Sequence, residues 1–252
     1  MVRLYDAVDA SLLAVHMRSS TAIAENIASV HERIARAASR VGRSRTDITL
    51  MAVTKTQPVD NIIAAYESGI RSFGENRVQE FASKSEPLEK LNDAQFALIG
   101  RLQSNKAGKA VGLFAAIHSV DSLRLAERIS TLIERACRPA MPIAIEINTG
   151  DAAKAGLSPD SPELEQLLRA AERLPGISIK GLMTIPPFTE DPEGARPYFR
   201  QLRELRDSIT GRNLPGIGTE LLSMGMSHDF EVAIEEGSTC VRVGTAIFGE
   251  RG

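Results

Sequence analysis

Lys55 directly follows the apolar run Met51-Ala52-Val53-Thr54. A lysine at the end of a buried strand has its stem walled in by neighbouring side chains. Desolvation lowers an amine's pKa and frees its lone pair to attack a carbonyl, the chemistry of a Schiff base. The plainer alternative buries the stem and keeps the ammonium in water. Two other segments have the character of an anion site. Ser223-Met224-Gly225-Met226-Ser227 and Gly244-Thr245 set small residues and hydroxyls near one another in the sequence. Glycine lets backbone N–H groups approach an anion, and helix N-termini favour negative charge. The plainer alternative is that these glycines form tight turns. An amine opposite a phosphate cradle suits a ligand that carries both an aldehyde and a phosphate.

Such a site needs a scaffold that brings position 55 beside positions 223–245. Apolar runs predict strands at 47–54, 70–73, 96–99, 115–119, 142–147, 178–183, 219–223 and 239–243. Helical periodicity predicts helices between them at 59–68, 77–91, 104–111, 122–136, 161–174, 192–209 and 230–235. This α/β alternation predicts a (β/α)8 TIM barrel, a single domain over 1–252, with every strand parallel through right-handed crossovers. An open doubly wound sheet is the alternative, and it would need fewer strands in one layer.

Residues 1–20 read as an N-terminal extension. Ser20 and Thr21 read as caps of a helix over 21–41, which Gly42 ends. Its apolar face is Ile23, Ile27, Val30, Ile34, Ala37 and Val41. No helix is expected after the last strand, so the 21–41 helix is expected to close the ring. In TIM barrels, binding groups gather at the C-terminal strand ends, with phosphate often held after strands 7 and 8. Those ends carry Lys55, Gly74-Glu75-Asn76, the segment from Gly100 to Lys106, Ser119-Val120-Asp121, Asn148-Thr149-Gly150, Met183-Thr184, the Ser223–Ser227 loop and Arg242-Val243-Gly244-Thr245.

Composition narrows the classes. The chain has 252 residues, 43% hydrophobic and 25% charged, which is enough for a substantial core. A formal net charge of −2 gives no strong field toward nucleic acid or an anionic membrane. Arg101, Lys106 and Lys109 form a local basic stretch, read either as a solvated helix start or as a docking surface. The 2 cysteines, Cys137 and Cys240, show no metal-ligand spacing, and Cys240 reads as a small buried hydrophobe. No His, Cys, Asp and Glu set has ligand spacing, so no metal is expected. Asp6 and Asp9 interrupt the N-terminal apolar stretch, and no run approaches the roughly 18 residues of a membrane span. A cytoplasmic, reduced protein is the expectation.

From about Ala22 to Gly249 the chain resembles the pyridoxal 5′-phosphate homeostasis proteins. The resemblance rests on AVTKTQP at 52–58, FGENRVQE at 73–80, IGRLQSNK at 99–106, GLMTIPP at 181–187 and LSMGMSHDFEVAIEEGSTCVRVGTAIFG at 222–249. It implies a fold-type III barrel like the N-terminal domain of alanine racemase, with pyridoxal 5′-phosphate as an internal aldimine on Lys55. It further implies Asn76 near the ring hydroxyl and Met183 against the ring. Ser223, the backbone after Met224, and Gly244 with Thr245 would bind the phosphate. Arg242 would face the pyridine nitrogen, and an ion pair with Glu235 or Glu236 is its alternative. The chain departs from the family pattern at Ala97 and Leu98, where relatives often carry His. It departs again at Ala152 or Ala153, where Glu is frequent.

Two readings follow for function. The first is a carrier or buffer of the cofactor in intracellular vitamin B6 homeostasis, without catalysis, as a monomer, with PLP-dependent apoenzymes as partners. The second is a racemase-like enzyme. Racemisation needs an acid/base on each face of the substrate carbon. Lys55 serves one face. In alanine racemases the resemblance implies that a tyrosine from a second domain serves the other. The 3 tyrosines here are Tyr5, Tyr66 and Tyr198, the first ahead of the barrel and the other two inside predicted helices. Of the 4 histidines, His16, His31, His118 and His228, His118 falls just before the rim. His228 reads as the start of a helix that Asp229 caps.

Overall fold

The computed structural model describes residues 3–150 and 155–250, with side chains from residue 20 onward. The side chains of Tyr5 and His16, and the departure at Ala152 and Ala153, lie outside the described residues. Eight strands form one closed barrel: β1 (Thr49–Val53), β2 (Ser72–Glu75), β3 (Gln95–Leu98), β4 (Ala116–Val120), β5 (Met141–Glu146), β6 (Ile177–Met183), β7 (Ile217–Met226) and β8 (Cys240–Val243). The parallel pairing of β1 with β8, Thr49 opposite Cys240 through Ala52 opposite Val243, closes the ring and excludes the open sheet.

The outer helices are α1 (Arg3–Arg40), α2 (Val59–Glu67), α3 (Val78–Lys84), α4 (Ala107–Leu113), α5 (Leu123–Arg135), α6 (Pro162–Ala170), α7 (Arg196–Gly211) and α8 (Phe230–Glu235), and one turn, α9 (Thr245–Phe248), follows β8. Among the described residues, no helix is long and apolar enough to cross a membrane.

Strand alternation sorts the side chains into two compartments. Leu50 and Ala52 join the large core between strands and helices, as do Val241 and Val243. Met51, Ala97, Ile99 and Cys240 form a small second cluster inside the ring, with Val53, Ala116 and Leu221 packed on it. By the same period, His118, Glu146, Ser223 and Arg242 also face the barrel interior, and all four are buried.

The first helix closes the ring as expected, packing on α2, α8 and α9. Ile23, Ile27, Val30, Ile34 and Ala37 are buried, whereas Val41 is 42% exposed beyond the last helical turn. A Schellman turn ends α1: Gly42 is left-handed at φ 69, and the Arg43 N–H donates to the Ala38 carbonyl at 2.9 Å. Three expectations are corrected. Ser20 and Thr21 do not start this helix, which runs unbroken from Arg3. No Gly or Pro interrupts residues 3–40, and Ser or Thr inside a helix costs only a fraction of a kcal/mol. A helical turn does follow the last strand. The helix predicted over 77–91 stops at Lys84, because Pro87 lacks the N–H that would continue it, and a 3-10 turn spans Glu86–Leu88.

Candidate functional site at the barrel rim

The turn after β1 is held from outside the ring. Thr56 adopts φ 63, a left-handed conformation unusual for a β-branched residue. Its N–H donates to Glu80 Oε1 on α3. Lys84, one turn further along α3, donates to the Thr54 carbonyl at 2.8 Å. The same ammonium pairs with Glu75 Oε1 at 2.8 Å and Glu80 Oε1 at 3.2 Å. Thr54 Oγ1 also donates to Glu75 Oε1, at 2.6 Å. Burial pushes the Glu75 carboxyl above its usual range, against the pull of Lys84 and Thr54. This clamp fixes the backbone on both sides of Lys55. The sequence reading did not single out Glu80 or Lys84, although their i,i+4 spacing on a helix was visible.

Lys55 is half-buried and lines a cavity of about 450 Å3 at the C-terminal end of the barrel. Asn76, Arg242, Gly244 and Thr245 line the same cavity, and Val53, Ile99 and Ile185 supply apolar wall. Five of the eight predicted site residues therefore meet in one place. The other three lie outside its lining. Met183 is fully buried at the end of β6. The Met224 side chain packs into the outer core, and its carbonyl accepts from Ser238 Oγ at 2.8 Å. Ser223 is fully buried, and its Oγ accepts from Arg242 Nη1 at 2.8 Å.

Of the two serines in the Ser223–Ser227 loop, it is Ser227 that lines the cavity. Its Oγ accepts from the N–H groups of Gly244, at 3.2 Å, and Ala246, at 3.3 Å. A Cβ on Gly244 would stand 3.3 Å from the Val53 carbonyl oxygen, so glycine keeps this approach to the backbone open.

Arg242 is 3% exposed, and burial draws its pKa below the usual arginine value. Its second amine, Nη2, donates to the Thr184 carbonyl at 2.7 Å. The alternative pairing with Glu235 or Glu236 does not occur. Glu235 pairs with Arg40 and Arg196, and Glu236 with Arg196, Arg200 and Arg203. Asp229 does not cap α8 with its side chain; it turns back to accept the Met226 N–H at 2.6 Å, bracing the loop that carries Ser227.

In the barrel interior, burial together with the Arg242 charge pushes His118 down to about 4. Burial and the nearby Asp121 push Glu146 up to about 7. At the mouth, the exposed His228 ring lines the cavity, lies 5.6 Å from the Phe188 ring and meets the Glu190 carbonyl at 3.1 Å. Tyr66 lies on the outer surface, bonded to Asp93. Arg101 and Lys106 border a neighbouring groove of about 690 Å3 that shares Asn76 with the cavity. Cys137 is exposed, and Cys240 is buried with its thiol pushed up to about 11.

Comparison with known proteins gives one consistent answer. The alanine racemase N-terminal domain family matches residues 19–252. A pyridoxal phosphate homeostasis protein of Aquifex aeolicus is 45% identical over 230 residues, covering 90% of this chain and 97% of the relative. The solved structure of PipY from Synechococcus elongatus PCC7942, with PLP bound, superposes with a TM-score of 0.78 at 36% identity, covering 90% of this chain and 100% of that one. Alanine racemase from Corynebacterium glutamicum shares the fold, with a TM-score of 0.67 at 17% identity over 92% of this chain and 62% of that one.

Proposed function

Because this chain belongs to the alanine racemase N-terminal domain family and, within it, to the pyridoxal phosphate homeostasis proteins, we propose that its rim cavity holds pyridoxal 5′-phosphate as a Schiff base on Lys55 and that the protein carries or buffers the cofactor. The observation that carries this reading is the convergence of Lys55, the Gly244 backbone and Arg242 on one cavity. Its volume of about 450 Å3 falls within the roughly 300–1,000 Å3 of small-molecule sites.

The residues present fit the group. Bound cofactor supplies an electrophilic aldehyde and a conjugated ring. Lys55 Nζ would be the nucleophile for that aldehyde, and the clamp on Thr54 and Thr56 holds the backbone that carries it. The Ser227 hydroxyl, its oxygen held by the N–H groups of Gly244 and Ala246, would offer its proton to a phosphate oxygen. Val53 and Ile99 give the ring an apolar wall, and Asn76 offers it an amide. Arg242 is an obligate donor. Facing a pyridine nitrogen, it would keep that nitrogen unprotonated and weaken the ring as an electron sink. That favours carriage over carbanion chemistry. Two free cysteines suit a reducing, cytoplasmic setting.

The test is an absorption spectrum of the purified protein with added pyridoxal 5′-phosphate, repeated for Lys55→Ala, with borohydride reduction and peptide mapping. A visible Schiff-base band that Lys55→Ala loses, with the reduced adduct on Lys55, supports the reading. No band and no adduct at Lys55 overturns it.

One observation favours a second reading, a racemase-like enzyme. His228, expected only to begin a helix, has its ring at the cavity mouth. It is the group to test as a second acid/base. Amino-acid racemisation by the loaded protein that His228→Ala abolishes would replace the carrier reading.

A further inference from the structure

Three polar side chains enter the barrel interior from three strands: His118 from β4, Glu146 from β5 and Arg242 from β8, the last of which lines the cavity. All are at least nine-tenths buried. Arg242 spends its two amines on neutral acceptors, Ser223 Oγ and the Thr184 carbonyl. Glu146 Oε2 and His118 Nδ1 have no hydrogen-bond partner, and both atoms are shielded from solvent. A buried carboxyl with an orphaned oxygen lowers stability relative to an apolar residue of similar size. Its presence in the barrel interior alongside Arg242, which lines the cavity, therefore calls for a role there.

The surroundings of Glu146 identify that role. Arg242 from β8 and Arg101 from the loop after β3 favour its ionised form, while Asp121 from the loop after β4 and burial itself favour the neutral form. His118 adds no charge near neutral pH, since burial and Arg242 hold it down at about 4. Met183, paired with Glu146 across β5 and β6, brings none either. Opposing influences leave this carboxyl able to change charge near neutrality.

Resting on the cofactor reading above, we propose that Glu146 sets the affinity of the cavity for its anionic cofactor by cancelling or releasing the charge of Arg242. Neutral Glu146 leaves Asp229 as the remaining acid acting on Arg242, and more of the guanidinium charge reaches an anion in the cavity. Ionised Glu146 offsets that charge, and affinity falls. The sign follows directly. The form that favours binding is the protonated one, so Glu146-dependent affinity is present in mild acid and is lost as pH rises through neutrality. By linkage, cofactor binding draws a proton onto Glu146. A coupling of about one pKa unit corresponds to about a tenfold change in affinity.

The experiment compares cofactor dissociation constants for the wild type and Glu146→Gln between about pH 6 and pH 8.5, with glutamine standing for the neutral acid. Changes from the cofactor phosphate and from Lys55 are common to both proteins and cancel in the ratio. The expected ratio is near one at pH 6, with the variant about tenfold tighter at pH 8.5. A second measurement covers a variant that folds poorly: carboxyl NMR of 13C-glutamate-labelled wild type, apo and loaded. One carboxyl titrating near neutrality in the apo protein and higher in the loaded one is expected. If both proteins load through Lys55 but the ratio is flat with pH, or no glutamate titrates near neutrality, the Glu146 proposal falls and the cofactor reading stands. If neither protein loads at all, both fall.

Discussion

Replacing Lys84 with methionine tests the clamp on the Lys55 turn. The substitution keeps the length of the side chain and removes the ammonium that pairs with Glu75 Oε1 at 2.8 Å. Glu75 is fully buried, so its carboxylate is left with the Thr54 hydroxyl as its remaining donor. Removing one partner of a buried ion pair costs about 3–5 kcal/mol. With a urea slope near 3 kcal/mol/M, the unfolding midpoint falls by roughly 1–2 M.

The loss depends on pH, and its sign is fixed. Burial already raises the folded-state pKa of Glu75, and losing Lys84 raises it further. A pKa raised on folding gives stability that is present in acid and lost as pH rises through the folded value. The penalty is therefore largest near pH 8 and shrinks toward pH 5. The double variant Glu75→Leu/Lys84→Met removes both charges and recovers most of the loss, because deleting a whole buried pair is often close to neutral. Urea unfolding of the three proteins at two pH values is the assay. A single-variant loss below about 1 kcal/mol, a penalty that does not change with pH, or a double variant no better than the single one would refute the reasoning.

Two other outcomes are expected. Gly225→Ala puts a Cβ 2.6 Å from Ala233 Cβ and 2.9 Å from Phe230 Cα at a residue with φ +93. The strain and overpacking together cost about 2–4 kcal/mol in chemical unfolding, and a loss under about 1 kcal/mol would mean the loop relaxes freely. In thiol labelling of the native protein, exposed Cys137 reacts quickly. Buried Cys240, its thiol pushed up to about 11, reacts only after denaturant is added, and equal rates would contradict that burial.

The barrel was legible because strands covered on both faces read as apolar runs, and polar residues mark where each run reaches the rim. That rule set Lys55, Arg242 and Gly244 at the rim, where all three line the cavity. β2 was placed too early because Ile70 looks like strand, yet its N–H returns to the Ala65 carbonyl to finish the turn after α2. The resemblance pointed to Ser223, whereas Ser227 lines the cavity; the pairing of β7 with β8 shifts register between Ser223 and Met226, and no spacing rule carries a side chain's facing across such a shift. The clamp on Thr56 joins β1, β2 and α3 through space, which sequence order does not display. Glu146 could have been noticed, as a lone acid in the run Ile143-Ala144-Ile145-Glu146-Ile147.

The helix that completes the outer ring precedes every strand of the barrel and finds its partners last. The Asn26 side-chain amide donates to the Ile247 carbonyl 221 residues later, and Arg33 meets Glu231 across 198 residues. At the ~5–20 residues per second of protein synthesis, those partners leave the ribosome roughly 10–40 s after α1 does. Of the helices α1 packs on, α2, α8 and α9, only α2 arrives early enough to shelter part of the Ile23–Ile34 stripe in the meantime. The nascent chain thus carries an uncovered apolar surface for most of its synthesis, and that interval is when a chaperone has the most to bind.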